Sequence, residues 1–235
     1  MSEIAQVWFE RRSASLVVDN PHDVIQAQHY AGVFYEIEQL VRHRNLIWSG
    51  SAVLDIGANV GNHSIFYACF SRAQVVFPFE PNLTARSLLL ESRKLNGLEQ
   101  KIALDYCDLA VGSRRGTVKV GVEPKNNLGA TQMVHIMHEI PDGPSDAHAV
   151  QCISLDDLDL RHPISFVKMD IEGWELDALR GAQNFIAKHR PAWAIEVNRS
   201  NEAAFWRWVV ETRYQIIDCF QDTATCKTYV LIPQG

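Results

Sequence analysis

The stretch VLDIGANVGNH, residues 53–63, limits the fold more than any other part of the chain. An apolar run of strand length stops at Asp55-Ile56 and enters a turn carrying Gly57 and Gly61. The residues after it, NHSIFYACF, read as a helix. A buried strand that breaks at a glycine turn into a helix is the opening unit of an open α/β sheet. Such sheets bind ligands beyond the carboxyl ends of their strands.

The rest of the chain repeats the unit. AQVVFPFEP (73–81) is a second strand, and its helix is expected to start at Asn82, a good N-cap, and stop near Gly97. Leu83, Leu88, Leu89 and Leu95 are expected on one side of that helix. KIALDYCDLAV (101–111) reads as a third strand and ISFVKMDIEG (164–173) as a fourth. A helix through WELDALRGAQNFIAKH follows, interrupted at Gly181. AWAIEVN (192–198) is a fifth strand, and YQIIDCF with TCKTYVLI form a closing hairpin around QDTA. Alternating strands and helices of this kind predict one domain with a mostly parallel sheet.

Residues 51–235 are assigned to that domain, with an insertion or lid at about 112–150, where a polar Gly/Pro-containing stretch breaks the rhythm. Residues 1–50 are assigned to an N-terminal helical or cap segment containing the helix YEIEQLVRHRNLI.

Bulk properties narrow the function. At 235 residues there is room for one full-sized domain and little more. A net charge of -6 argues against a nucleic-acid backbone as partner, because phosphate binding needs a basic surface. The five cysteines are scattered, with no C-x-x-C pair, and are expected as buried reduced thiols. The N-terminus lacks the apolar core of a signal peptide and no run approaches a membrane span, so a soluble cytoplasmic protein is expected.

The glycine turn departs from the dinucleotide pattern G-x-G-x-x-G. Asn59 stands where the middle glycine would be, bringing a side-chain amide to a place where pyrophosphate needs bare backbone. Asp55, just before the turn, disfavours phosphate and favours a cation. Glu80 closes the second strand nineteen residues after Gly61, where open α/β folds place the acid that binds ribose hydroxyls. Asp108 sits near the end of the third strand, suited to an adenine amino group. Each acid alone is more often a cap or a solvated loop residue. Together they favour a nucleoside that carries positive charge.

S-adenosylmethionine has that description, and VLDIGANVGNHS with VFPFEPN resembles the first two motifs of class I methyltransferases. DIGANVG, FEPN, SLDDL and VKMDIEGWELDALRGA together resemble the FkbM-type methyltransferases over about residues 52–197. The resemblance implies a Rossmann-like, mostly parallel seven-stranded sheet with one antiparallel strand and helices on both faces. It also implies that Gly57, Asn59 and Gly61 lie against the methionine part of the cofactor. Glu80 would take the ribose with Pro81 and Asn82 beside it, and Asp108 and Leu109 would flank the adenine.

Lys168, Asp170 and Glu172 alternate along one strand and so share a side. Burying them without partners is costly, so they are expected to rim a pocket. Methyl transfer from a sulfonium is an in-line displacement, and an alcohol acceptor gains from a neighbouring base. Asp170, Glu172 and His63 are the candidates for that base, with Asp170 also beside the cofactor and Lys168 as its ion-pair partner. A plain N-terminal helix residue is an equal reading for His63. Asp170, Glu196 and Asn198 are an alternative set able to hold Mg²⁺, but spacing alone specifies no metal and none is assigned. His135, His138 and His148 are expected as solvated loop histidines. Trp193 is expected in the core, whereas Trp174, Trp206 and Trp208 are open to an interface or substrate role.

The expected reaction is therefore O-methylation of a hydroxyl on a sugar, polyketide or other secondary metabolite, its acceptor class resting on the resemblance alone. Rival readings are a nicotinamide-dependent oxidoreductase, disfavoured by Asn59, and a binding or scaffold protein that keeps the fold without turnover. A nucleic-acid methyltransferase is disfavoured by the acidic chain and the lack of an NPPY-like segment after the fourth strand.

Overall fold

The computed structural model describes residues 2–120, 133–134 and 148–235. The chain begins with a hairpin that no local pattern in the sequence announces. β1 (Glu3–Phe9) and β2 (Arg12–Val18) form an antiparallel hairpin. Its two turn residues, Glu10 and Arg11, both have left-handed backbones, which matches the twist of a two-residue hairpin. α1 (Val24–Tyr30) follows, its first amides capped by the Asp23 carboxylate, and then α2 (Ile37–Arg44), inside the expected helix.

The central sheet uses β3 (Ala52–Ile56), with α3 (Asn62–Phe70) after it, and β4 (Val75–Phe79), followed by α4 (Leu83–Leu95). A second, four-stranded sheet is made by β5 (Ala110–Val111), β6 (Gly116–Val120), β7 (Met133–Val134) and β8 (His148–Ile153). The chain then returns to the central sheet through β9 (Ile164–Met169), α5 (Glu175–Arg180), α6 (Gln183–His189) and β10 (Ala192–Asn198). α7 (Glu202–Glu211), β11 (Tyr214–Gln221) and β12 (Cys226–Pro233) complete it.

The central order is β11-β12-β10-β9-β3-β4. β10, β9, β3 and β4 are mutually parallel, and β12 runs antiparallel to both its neighbours. Every residue of β3, β4 and β9 is buried, which is why these strands read as continuous apolar runs: helices cover both faces. Leu54, Ile56 and Trp193 join one core cluster, while their neighbours Val53 and Ala194 join another with Phe66 of α3 and Leu40 of α2.

The third predicted strand is corrected. A parallel bridge between Val76 and Ile102 is what represents it at the sheet edge. The following residues turn, with Cys107 N donating to Leu104 O and Leu109 N to Tyr106 O, and the chain then leaves to pair β5 with β8. Exposed Asp105 and Asp108 favour that turn over a buried strand.

α4 starts as expected, the Asn82 side chain accepting from Thr84 N and Ala85 N. Its buried face is Ala85, Leu88, Leu89 and Ser92, whereas Leu83 and Leu95 are exposed. The α5–α6 break falls at Gly181, where a Cβ would sit 2.6 Å from Gly112 O. Trp193 is fully buried and Trp208 joins the same cluster, with Trp174 packed against it and Trp206 exposed. Of the cysteines, which are unpaired, Cys107 and Cys152 are buried but Cys219 is exposed, contrary to expectation. Among the described residues no helix is long and apolar enough to cross a membrane.

Candidate active site

The turn after β3 is shaped by two backbone demands. Gly57 (φ +79°) packs so closely on β9's exit that a Cβ there would lie 1.8 Å from Asp170 O. Asn59 also has a left-handed backbone (φ +49°), a conformation that asparagine tolerates better than most side chains. The asparagine that breaks the dinucleotide pattern thus keeps a glycine-like turn.

A cavity of about 300 Å³ opens at this turn, beyond the carboxyl ends of β3, β4, β9 and β10. Gly57, Asn59, His63, Glu80, Pro81, Leu109, Asp170 and Glu172 lie on its wall, with Lys168 and Glu196. Asp55, Gly61, Asn82, Asp108 and Asn198 do not line it. Asp55 is fully buried behind the turn, accepting from Ser64 Oγ at 2.5 Å and lying 3.9 Å from Lys168 Nζ. Gly61 supports the turn from behind, where a Cβ would meet Leu89 Cγ at 2.9 Å. Asn82 serves as the α4 cap, Asp108 is exposed, and Asn198 accepts from Ser200 N and Oγ.

Glu80 ties together the loops that follow β3 and β4. Its Oε2 accepts from Asn59 N at 2.7 Å and its Oε1 from Asn82 N at 2.8 Å. Burial pushes its carboxyl up to about 7 despite these two amides, which pull the other way. A carboxylate has about four acceptor positions, so two amides leave capacity for a diol.

Across the cavity, Lys168 Nζ donates to Gly57 O at 2.7 Å and lies 3.4 Å from Asp170 Oδ2. Burial works against its charge, but Asp170, Asp55 and Glu36 hold the ammonium above its ordinary range. Asp170, Glu172 and Glu196 bring carboxylate oxygens within 4.8 Å of one another. Burial first, and then the nearby Asp170, raise the Glu196 carboxyl to about 10. Lys168 offsets part of the cluster's charge. The same oxygens are the donor type that Mg²⁺ takes, with Glu172 in the place expected for Asn198. The loop after β9 is braced by buried Glu175, whose Oε1 accepts from Ile171 N and Gly173 N, both at 3.1 Å.

Several wall residues were not singled out from sequence: Tyr35 and Glu36 ahead of α2, Val24 and Ile25 at α1, and Asp222 with Thr223 in the β11–β12 turn. They are distant in sequence from the glycine turn, and no local pattern marks them. Asn62 fastens the first pair, its Oδ1 accepting from Tyr35 N and its Nδ2 donating to Tyr35 O, both at 3.0 Å. Gln39 Nε2 donates to Asp222 Oδ1 at 2.8 Å, joining α2 to the C-terminal turn. His63 Nε2 lies 3.3 Å from Glu36 Oε2. His148 belongs to β8 rather than a solvated loop, its Nε2 3.3 Å from Pro81 O. His135 and His138 lie outside the described residues.

The architecture is shared with solved methyltransferase structures. An FkbM methyltransferase from Methylobacillus flagellatus KT superposes with a TM-score of 0.53 at 20% identity, covering 87% of this chain and 52% of its own. Methanocaldococcus jannaschii Trm5 in complex with adenosine gives 0.50 at 12% identity, covering 99% of this chain and 58% of its own. M. jannaschii TYW2 in complex with AdoMet gives 0.52 at 16%, covering 98% and 85%. The chain thus spans a little over half the length of the first two. These likenesses show the Rossmann-like methyltransferase fold. No curated protein sequence matches the chain significantly. The family model described as "Methyltransferase FkbM domain" matches residues 55–220, more than half of the sequence, and the chain belongs to that family.

Proposed function

We propose that the protein is an S-adenosylmethionine-dependent methyltransferase that acts on a hydroxyl of a small molecule or glycan, with sugars, polyketides and other secondary metabolites as the acceptor class. One observation carries this reading: a buried carboxylate, Glu80, stands against the glycine turn of a methyltransferase fold, in a cavity walled by further acids. The donor set suits the cofactor. Glu80 has acceptor capacity for a ribose diol, Leu109 with Ala110 and Val111 offers an apolar wall for a base, and the acidic wall suits cationic groups. Bound S-adenosylmethionine supplies an electrophilic methyl group.

The chain's own task is to hold the acceptor and receive its proton. We assign that proton to the Asp170–Glu172 cluster, where Lys168 orients Asp170 and Glu196 stays neutral beside it. His63 is better placed to orient a neighbour, because both ring nitrogens face partners: Asn62 Nδ2 at 3.4 Å and Glu36 Oε2 at 3.3 Å. A wall rich in carboxylates repels phosphate, which supports a small acceptor over a nucleic acid, and Mg²⁺ is not required in this reading. We read the protein as cytoplasmic, in keeping with its unpaired thiols. Residues 1–50 are read as a cap; most of the expected lid, 121–132 and 135–147, lies outside the described residues, and His148 after it meets Pro81 O beside Glu80.

Calorimetric titration with S-adenosylmethionine, S-adenosylhomocysteine and NAD tests the reading. Micromolar binding of the first two and none of the third is expected. Binding of NAD alone, or of none, overturns it.

A further inference from the structure

We propose that Glu36, which lies outside the segment shared with the family, binds the α-ammonium group of the cofactor's amino-acid tail, and that His63 and Asn62 are the positioning residues that hold it there. The proposal rests on the S-adenosylmethionine reading above.

Glu36 is on the cavity wall and its backbone is left-handed (φ +55°), an unfavourable conformation for a side chain of this kind. Two contacts keep it there. Asn62, the first residue of α3, grips the neighbouring Tyr35 backbone through both its amide and its carbonyl. His63, the next residue, meets the Glu36 carboxylate through Nε2.

The hydrogen-bond network also fixes which way the His63 ring is protonated. Asn62 Oδ1 accepts from Tyr35 N and faces His29 Nε2 at 2.9 Å, so Nδ2 is the donor side. It donates to Tyr35 O and faces His63 Nδ1 at 3.4 Å. His63 Nδ1 is therefore the acceptor, and Nε2–H donates to Glu36. A carboxylate held through one oxygen keeps its other acceptor positions for a ligand.

The position suits the amino-acid end of the ligand. Glu36 stands beside the first turn of α3, on the Lys168 side of the glycine turn, while Leu109–Val111 lie past β4 on the other side. An ammonium there needs a carboxylate that is not already neutralised. Asp170 lies 3.4 Å from Lys168 Nζ, Glu172 and Glu196 are gathered with it in one cluster, Asp55 is behind the wall, and Glu80 is engaged by two backbone amides. Asp222 is drawn toward Gln39. At ion-pair distance Glu36 meets a histidine, with Lys168 farther off, and it stands beside the first turn of α3.

The test compares S-adenosylhomocysteine with its desamino analogue, which keeps the adenosine, sulfur and carboxylate but lacks the ammonium. Calorimetry with the wild-type chain should show the analogue at least about tenfold weaker, the scale of a charge-assisted hydrogen bond. In Glu36→Gln that gap should shrink to less than about threefold, through weaker binding of S-adenosylhomocysteine alone. Glu36→Asp should restore part of it. An unchanged gap overturns the proposal and turns Glu36 toward the acceptor. Equal weakening of both ligands also overturns it, making Glu36 a structural residue. If the wild-type chain binds neither ligand, the cofactor reading itself fails.

Discussion

At the residue scale, the site depends on backbone positions that admit few side chains and on one acid that couples them. Gly57 has no room for a Cβ, and Asn59 accepts a left-handed backbone while giving its amide to Glu80. Glu80 is then a brace for both loops as well as a ribose candidate. Its carboxyl titrates near 7 because burial raises it, so the fold favours the protonated form and unfolding releases a proton. This group therefore contributes stability at low pH that is lost as pH rises from about 4.5 to about 7. Cofactor affinity should move the opposite way, growing from pH 6 to 8 as the carboxylate forms. Glu80→Ala should lower affinity for S-adenosylmethionine about tenfold or more, with the fold retained by circular dichroism. Unchanged affinity would remove Glu80 from the ribose.

At the element scale, what was legible in the sequence was what local patterns encode. The β3 strand, its glycine turn, the Asn82 cap, the Gly181 break and the closing hairpin all have short-range chemical reasons. The β1–β2 hairpin, α1 and α7 were missed: much of the apolar surface they cover is formed by distant elements. β2 docks on α4 through Ser15 N to Asn96 Oδ1 and Val17 N to Ser92 Oγ, pairs about eighty residues apart in sequence. The N-terminal segment is held on α3 by a similar long-range tie, His29 Nε2 to Asn62 Oδ1. Burial lowers the His29 pKa to about 4, so unfolding takes up a proton at mildly acidic pH. Stability from this group is present above about 6.5 and is lost as pH falls toward about 4, by a few kcal/mol at most. His29→Gln, which keeps an N–H donor, should flatten that acid loss in thermal melts. An acid profile identical to wild type would show that the acid loss does not come from His29. Asn62→Ala should raise amide exchange in α1 and the Tyr35–Glu36 segment before it does so in the central sheet.

At the scale of the whole molecule, the fold gathers acids separated by most of the chain, from Glu36 to Asp222, onto one edge of a parallel sheet. That edge is where such sheets bind ligands, and no single segment of sequence displays the collection. Lys168 is the lysine or arginine on the wall among the described residues, and it is already engaged by Gly57 O and Asp170. Mutual repulsion among the remaining carboxylates therefore opposes the folded arrangement until a cation or salt offsets it. The unliganded protein should melt a few degrees higher at ~300 mM than at ~20 mM sodium chloride, because the Debye length shortens several-fold over that range. Saturation with S-adenosylmethionine should raise the melting temperature by mass action and shrink the salt effect, since its cationic groups occupy the same field. Glu172→Gln, at a wall carboxylate other than Lys168's partner Asp170, should remove part of the salt effect in the unliganded chain, while disturbing turnover more than cofactor binding. A salt response that is equal with and without the cofactor would place the repulsion elsewhere on a molecule whose net charge is -6. It would then separate the acidity of the cavity from the binding of a cationic ligand.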